Sequence, residues 1–89
     1  MITISFGSSF KRAYKKRVAP DESLKNKFQE RTAVFQDNPF DRSLHTHKLS
    51  GSLDGLWSYR VDYEIRIVFY FTSPDHAVLV DIGTHDEVY

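Results

Sequence analysis

Three residues in this 89-residue chain are suited to move a proton or hold a phosphate: His47, His85 and Arg66, with Arg60 close to the last in sequence. A neutral imidazole accepts a proton and a charged one returns it, and histidine's ordinary pKa near 6.5 lets both forms exist at neutral pH. A guanidinium offers a planar fork of donors that fits phosphate oxygens. Together these groups suit cleavage of RNA. One base deprotonates a 2′-hydroxyl, one acid protonates the leaving 5′-oxygen, and a cation stabilises the crowded phosphate. Arg66 interrupts a run, Ile65 to Phe71, that is otherwise apolar on both faces. It therefore either pairs with Asp62, Glu64 or Asp81 or opens onto a pocket. His45 and His47 share a face if that segment is extended. A metal reading is poorly supported, because the chain has no Cys, no tight acidic cluster and no helical His-x-x-x-His. No serine has an adjacent base and acid, which argues against a nucleophilic hydrolase. His76, beside the Pro74-Asp75 turn, reads as a surface residue.

These groups need a scaffold. A chain of this length buries only roughly 60 to 65% of its unfolded surface, which suits one domain spanning residues 1–89. Ile2, Ile4 and Phe6 alternate with Thr3 and Ser5 as a first strand. Gly7 with Ser8 or Ser9 then opens a helix that carries Phe10, Ala13, Tyr14 and Val18 on one stripe. Asp21 caps a second helix with Leu24, Phe28 and Phe35 inward, ending before Pro39. The short link at Ala19-Pro20 folds the two as a hairpin. Three more strands follow, at Trp57 to Tyr63, Ile65 to Phe71 and His76 to Ile82, with Ser73-Pro74-Asp75 as a tight turn. The expected order is β-α-α-β-β-β, an α+β domain whose twisted antiparallel four-stranded sheet carries an N-terminal helical hairpin on one face. The last segment, Gly83 to Tyr89, is either a frayed tail or part of a site.

Charge is uneven although the net charge is zero. Residues 1–36 hold eight Lys or Arg and three acids, residues 37–89 four and nine, so the halves carry +5 and −5. Lys11, Arg12, Lys15, Lys16 and Arg17 form one run, either the solvated side of the first helix or a phosphate-contacting surface. The lack of Cys suits a reducing compartment, and no long apolar run suggests export or membrane insertion. The expected location is the cytoplasm.

Four blocks carry a resemblance across the whole chain. They are His47-Lys48-Leu49-Ser50-Gly51, Gly55-Leu56-Trp57-Ser58-Tyr59-Arg60-Val61, Ile65-Arg66-Ile67-Val68-Phe69-Tyr70 and Gly83-Thr84-His85-Asp86-Glu87-Val88-Tyr89. In this order and spacing the chain resembles the RelE/ParE superfamily of bacterial toxin–antitoxin modules, and most closely its YafQ-like branch. The resemblance implies a RelE-like fold and a ribosome-dependent endoribonuclease that cuts mRNA in the A site without a metal or other cofactor. Its partners would be the ribosome, mRNA and a cognate antitoxin, with no membrane and no small-molecule cofactor. By position His47 and His85 would be catalytic, Arg66 would bind the phosphate, and Tyr89 would stack on or orient a base. Arg60, Tyr63 and Lys48 would contact substrate, and the basic first helix would face ribosomal RNA. The YafQ-type pattern has a further histidine and an acid where this chain has Tyr63 and Glu64, so either the tyrosine stands in or that role is empty. The alternative is a non-nuclease of the same fold, a ParE-like DNA gyrase inhibitor or a protein that chiefly binds its antitoxin.

Overall fold

In the computed structural model, which describes residues 1–89, the chain runs β1 (Thr3–Phe6), α1 (Ser8–Arg17), α2 (Glu22–Asp37), β2 (His47–Lys48), β3 (Trp57–Arg60), β4 (Ile65–Ser73), β5 (His76–Thr84) and α3 (His85–Val88). Two 3-10 turns, Arg42–Leu44 and Gly51–Leu53, flank β2. No helix is long and apolar enough to cross a membrane.

α2 forms where the sequence signals placed it. The Asp21 carboxylate accepts the Leu24 amide at 3.1 Å, and the helix stops at Asp37 because Asn38, ahead of Pro39, is extended. Its inward stripe is Leu24, Phe28, Thr32 and Phe35. Phe35 stacks on Tyr59 with ring centroids 4.3 Å apart and meets Phe69 edge-on at 4.9 Å. Truncating so central a ring costs roughly 3–5 kcal/mol. The Tyr59 hydroxyl is matched by Thr32 Oγ1 at 2.8 Å, which satisfies two polar groups buried between α2 and the sheet. α1 closes the hairpin through Phe10 and Tyr14, whose rings lie 5.8 and 5.2 Å from that of Phe28.

The α+β class and the hairpin are as expected, but the sheet has five strands, ordered β1-β5-β4-β3-β2, and is mixed. β1 runs parallel to β5 while the other pairs are antiparallel. Alternation of apolar residues reports which side of a strand is buried and is silent on the direction of its neighbour. The extra strand, β2, has two residues, too few to show a period. β3 ends at Arg60 rather than Tyr63, because the Asp62 carboxylate takes the amides of Glu64 and Ile65 at 2.9 and 2.8 Å and turns the chain.

β1 pairs with β5 only as far as Leu79, and α1 takes over the edge beyond it. Ser9 donates to the Val80 carbonyl at 2.7 Å and Arg17 to that of Ile82 at 2.9 Å. An otherwise bare sheet edge is covered in this way. α2 seals one face of the sheet over Tyr59, Ile67, Phe69, Leu79 and Ile82. The opposite face is left partly open.

Candidate functional site

Residues that pair across neighbouring strands point to the same side, so the register defines the open face row by row. One row is His47, Ser58, Val68 and Asp81; the next is Arg60, Arg66 and Gly83. His47 is therefore carried onto this face by the two-residue β2. Its ring is fixed by its own chain. Nδ1–H donates to the His45 carbonyl at 2.8 Å, an acceptor that requires the proton on Nδ1 and leaves Nε2 to meet a ligand. His45 is left-handed, at φ 53°, so the segment from His45 to His47 is not extended throughout. A cleft of about 400 Å³ runs along His45, His47, Ser58, Arg60 and Arg66.

Arg66 does not find an acid. Its Nη1 donates to the carbonyls of Asp62 and Tyr63, both at 3.0 Å, which anchors the guanidinium over the β3–β4 turn. The Asp62 carboxylate faces Lys27 at 3.7 Å and Asp81 faces Arg17 at 3.2 Å. Arg60 stands directly opposite Arg66, so two cations share one face without a carboxylate in salt-bridge reach. Carbonyl oxygens satisfy part of the donor set and leave the charge uncompensated. A second cleft, also about 400 Å³, is lined by Tyr63, Glu64, Arg66, Thr84, His85 and Asp86. Arg66 is common to both clefts.

The end of the chain is a formed element rather than a frayed tail. Thr84 accepts the Glu87 amide at 3.3 Å and Glu87 accepts the Thr84 amide at 2.7 Å, a reciprocal capping box that starts α3. The Thr84 amide, helped by the hydroxyl of Thr84 and by the charge of Arg17 at 3.4 Å, holds the Glu87 carboxyl below its ordinary value. Gly83 lets the helix fold back. A Cβ there would lie 2.8 Å from both Arg17 Nη1 and Glu87 Oε1. Val88 is buried, and Tyr89 reaches across to donate its hydroxyl to Ser58 Oγ at 2.5 Å. The same ring meets the His85 ring edge-on, with centroids 4.5 Å apart. His85 Nδ1 lies 3.5 Å from the Asp86 carboxylate.

Not every residue singled out in the sequence arrives here. Lys48 follows His47 in a strand and so points to the other side. It stands opposite Trp57, its ammonium 5.5 Å from that ring's centroid, and takes no part in the site. Tyr63 is on the β3–β4 turn, 85% exposed, at the wall of the His85 cleft. Of the basic run, Arg12 and Lys16 border a third cleft of about 440 Å³ floored by Leu53, Leu56, Val68, Val80 and Val88. Lys11 and Lys15 are exposed, whereas Arg17 is tied to Asp81, Glu87 and the Ile82 carbonyl. His76 bridges Ser5 and Thr72 across strand ends. No three His, Asp or Glu side chains converge as a metal-binding group would. Ser58 enters the site without having been anticipated from sequence, and His45, named beside His47, lines the same cleft. Nothing in the pattern Trp57-Ser58-Tyr59 marks that serine.

No protein-family model matches the sequence, and no curated protein sequence matches it. Solved structures do match in fold. YafQ from E. coli superposes with a TM-score of 0.80 at 15% identity, over 100% of this chain and 99% of that one. YafQ in its complex with DinJ, also from E. coli, gives 0.78 at 15% identity over the same shares. The chain in the YoeB–YefM complex from Staphylococcus aureus gives 0.74 at 21% identity, over 96% of this chain and 98% of that one.

Proposed function

We propose that this chain is the toxin of a toxin–antitoxin module and acts as an endoribonuclease on mRNA held in the ribosomal A site. The observation that carries this reading is Arg66, a cation without a carboxylate partner that walls two clefts, one containing His47 and the other His85. Neutral His47, with its proton on Nδ1, takes the 2′-hydroxyl proton at Nε2. O2′ then attacks phosphorus and the bond from phosphorus to O5′ breaks. Protonated His85 supplies the proton to O5′. The products are a 2′,3′-cyclic phosphate and a free 5′-hydroxyl, and no metal or cofactor enters. Arg66, with Arg60 opposite, stabilises the charge that builds on the phosphate oxygens. Each proton transfer contributes about 10² to 10⁴ in rate. Tyr89 and Tyr63 offer faces against which a base can stack, and Lys11, Arg12, Lys15 and Lys16 on α1 contact ribosomal RNA.

The partner is a cognate antitoxin, a reading supported by the antitoxin complexes among the structures that share the fold. The site of action is the cytoplasm, where translating ribosomes are. One observation favours a second reading. A net charge of zero is unusual for a protein that grips RNA, which fits a gyrase inhibitor or an antitoxin-binding protein of the same fold. Cleavage of a programmed ribosome complex decides between them. The proposal expects mRNA fragments ending in 2′,3′-cyclic phosphate and none from a message with a 2′-deoxy nucleotide at the cut. Growth arrest with intact mRNA would leave the second reading.

A further inference from the structure

Ser58 is a small polar residue with no accessible surface, in the middle of the open face between His47 and Val68. A hydroxyl so placed needs a partner, because a buried polar group left unmatched costs about 1–3 kcal/mol. Its hydrogen-bond partner is the Tyr89 phenol, 31 positions away along the chain and contributed by the residue that follows α3. Tyr89 is held at three points. Its hydroxyl is on Ser58, its amide is bonded to the His85 carbonyl at 2.9 Å, and its ring lies edge-on to the His85 imidazole. His85 is itself 69% exposed, and its one side-chain partner is the still more exposed Asp86. An imidazole so placed would sample several rotamers if Tyr89 were free to swing.

We infer that Ser58 is a positioning residue, which anchors the Tyr89 hydroxyl so that the Tyr89 ring holds His85 in one orientation beside Arg66. The inference rests on the nuclease reading for its catalytic consequence and on the geometry alone for its structural one. Ser58 touches no substrate atom in this role; it acts through Tyr89. The link also spans the site, since Ser58 lines the His47 cleft and His85 lines the neighbouring one. One hydrogen bond thus ties the β3 side of the site to its α3 side.

Two variants remove that bond from opposite ends, Ser58→Ala and Tyr89→Phe, and the second leaves the buried strand untouched should the first fold poorly. In single-turnover cleavage of ribosome-bound mRNA each should lower the rate about tenfold, and the double variant should lose no more than either alone, because both delete one interaction. Independent losses that multiply in the double variant would overturn the inference, as would native rates in both singles. An activity-free measurement runs alongside. In the full-length protein, nuclear Overhauser contacts between the Tyr89 and His85 rings should be strong in the native chain and lost in Tyr89→Phe, with core shifts unchanged and a thermal midpoint lowered only by the unmatched Ser58 hydroxyl. If the native chain shows those contacts but cuts no mRNA, the function is wrong and the anchoring stands. If the contacts persist in both variants, the anchoring is wrong whatever the activity.

Discussion

Arg60 and Arg66 face each other directly across the β3–β4 pair with no carboxylate in salt-bridge reach of either. Like charges in that position oppose folding by a few tenths to about 1 kcal/mol. Arg60→Ala should therefore leave the protein as stable or raise its stability by a few tenths of a kcal/mol, a gain that shrinks as salt screens the pair. Cleavage should fall in the same variant. Urea titrations at low and high salt measure the first effect, and a loss of more than about 1 kcal/mol would mean that Arg60 has a structural partner.

Thr32 and Tyr59 form the buried polar contact between α2 and the sheet. Tyr59→Phe or Thr32→Val alone strands a hydroxyl and should cost about 1–3 kcal/mol. The double variant should cost less than the sum of the two by at least about 0.5 kcal/mol. Strict additivity would show that the hydroxyls do not meet.

Gly83→Ala puts a methyl group 2.8 Å from Arg17 Nη1 and Glu87 Oε1 and 3.1 Å from Glu87 Cβ. Because Arg17 is also tied to Asp81, the strain should fall on α3. We expect about 1–3 kcal/mol of destabilisation and faster amide exchange at Val88 and Tyr89. Unchanged exchange there would contradict the packing of α3 against Gly83.

The Glu87 carboxyl is held below its ordinary value of 4.5 by the Thr84 amide first, with Arg17 contributing. A group lowered in the folded state adds stability that is present above its unfolded value and is lost as pH falls through its folded value. α3 should accordingly loosen below about pH 4.5 while the core around Phe35 stays packed. Amide exchange at Tyr89 should accelerate across that window in the native chain and show no such step in Glu87→Gln. The same step in Glu87→Gln would assign it to another carboxylate.

The two helices, the Asp21 cap of the second and its inward residues were legible because each rests on local chemistry: Asp21 at a helix start, Pro39 after a helix end, Phe28 and Phe35 on one stripe. The serine cap expected for the first helix is absent, since its N-cap is Gly7 with no side-chain bond and Ser9 turns to the Val80 carbonyl. The parallel pairing of β1 with β5 was not, since it joins segments more than 70 positions apart and the alternation Ile2, Ile4, Phe6 is the same in either direction. β2 was too short to leave a period, and with it went the information that Lys48 must face away from His47. α3 was missed although Thr84-x-x-Glu87 is a capping-box signature, because four residues carry no helical stripe. At the site, the candidates His47, His85 and Arg66 were visible as residue types out of place. Ser58 was not, because its significance lies in a contact 31 positions away.

On the proposed function, Arg66 and the two histidines whose clefts it walls cut mRNA on the ribosome. Primer extension on a translated reporter message, after induction of the native chain, His85→Ala or Arg66→Ala, tests it most directly. New 5′ ends should appear within the reading frame with the native chain, and fall by about 10²-fold or more with each variant. Growth arrest by the native chain with no new 5′ ends, or ends undiminished in both variants, would contradict it.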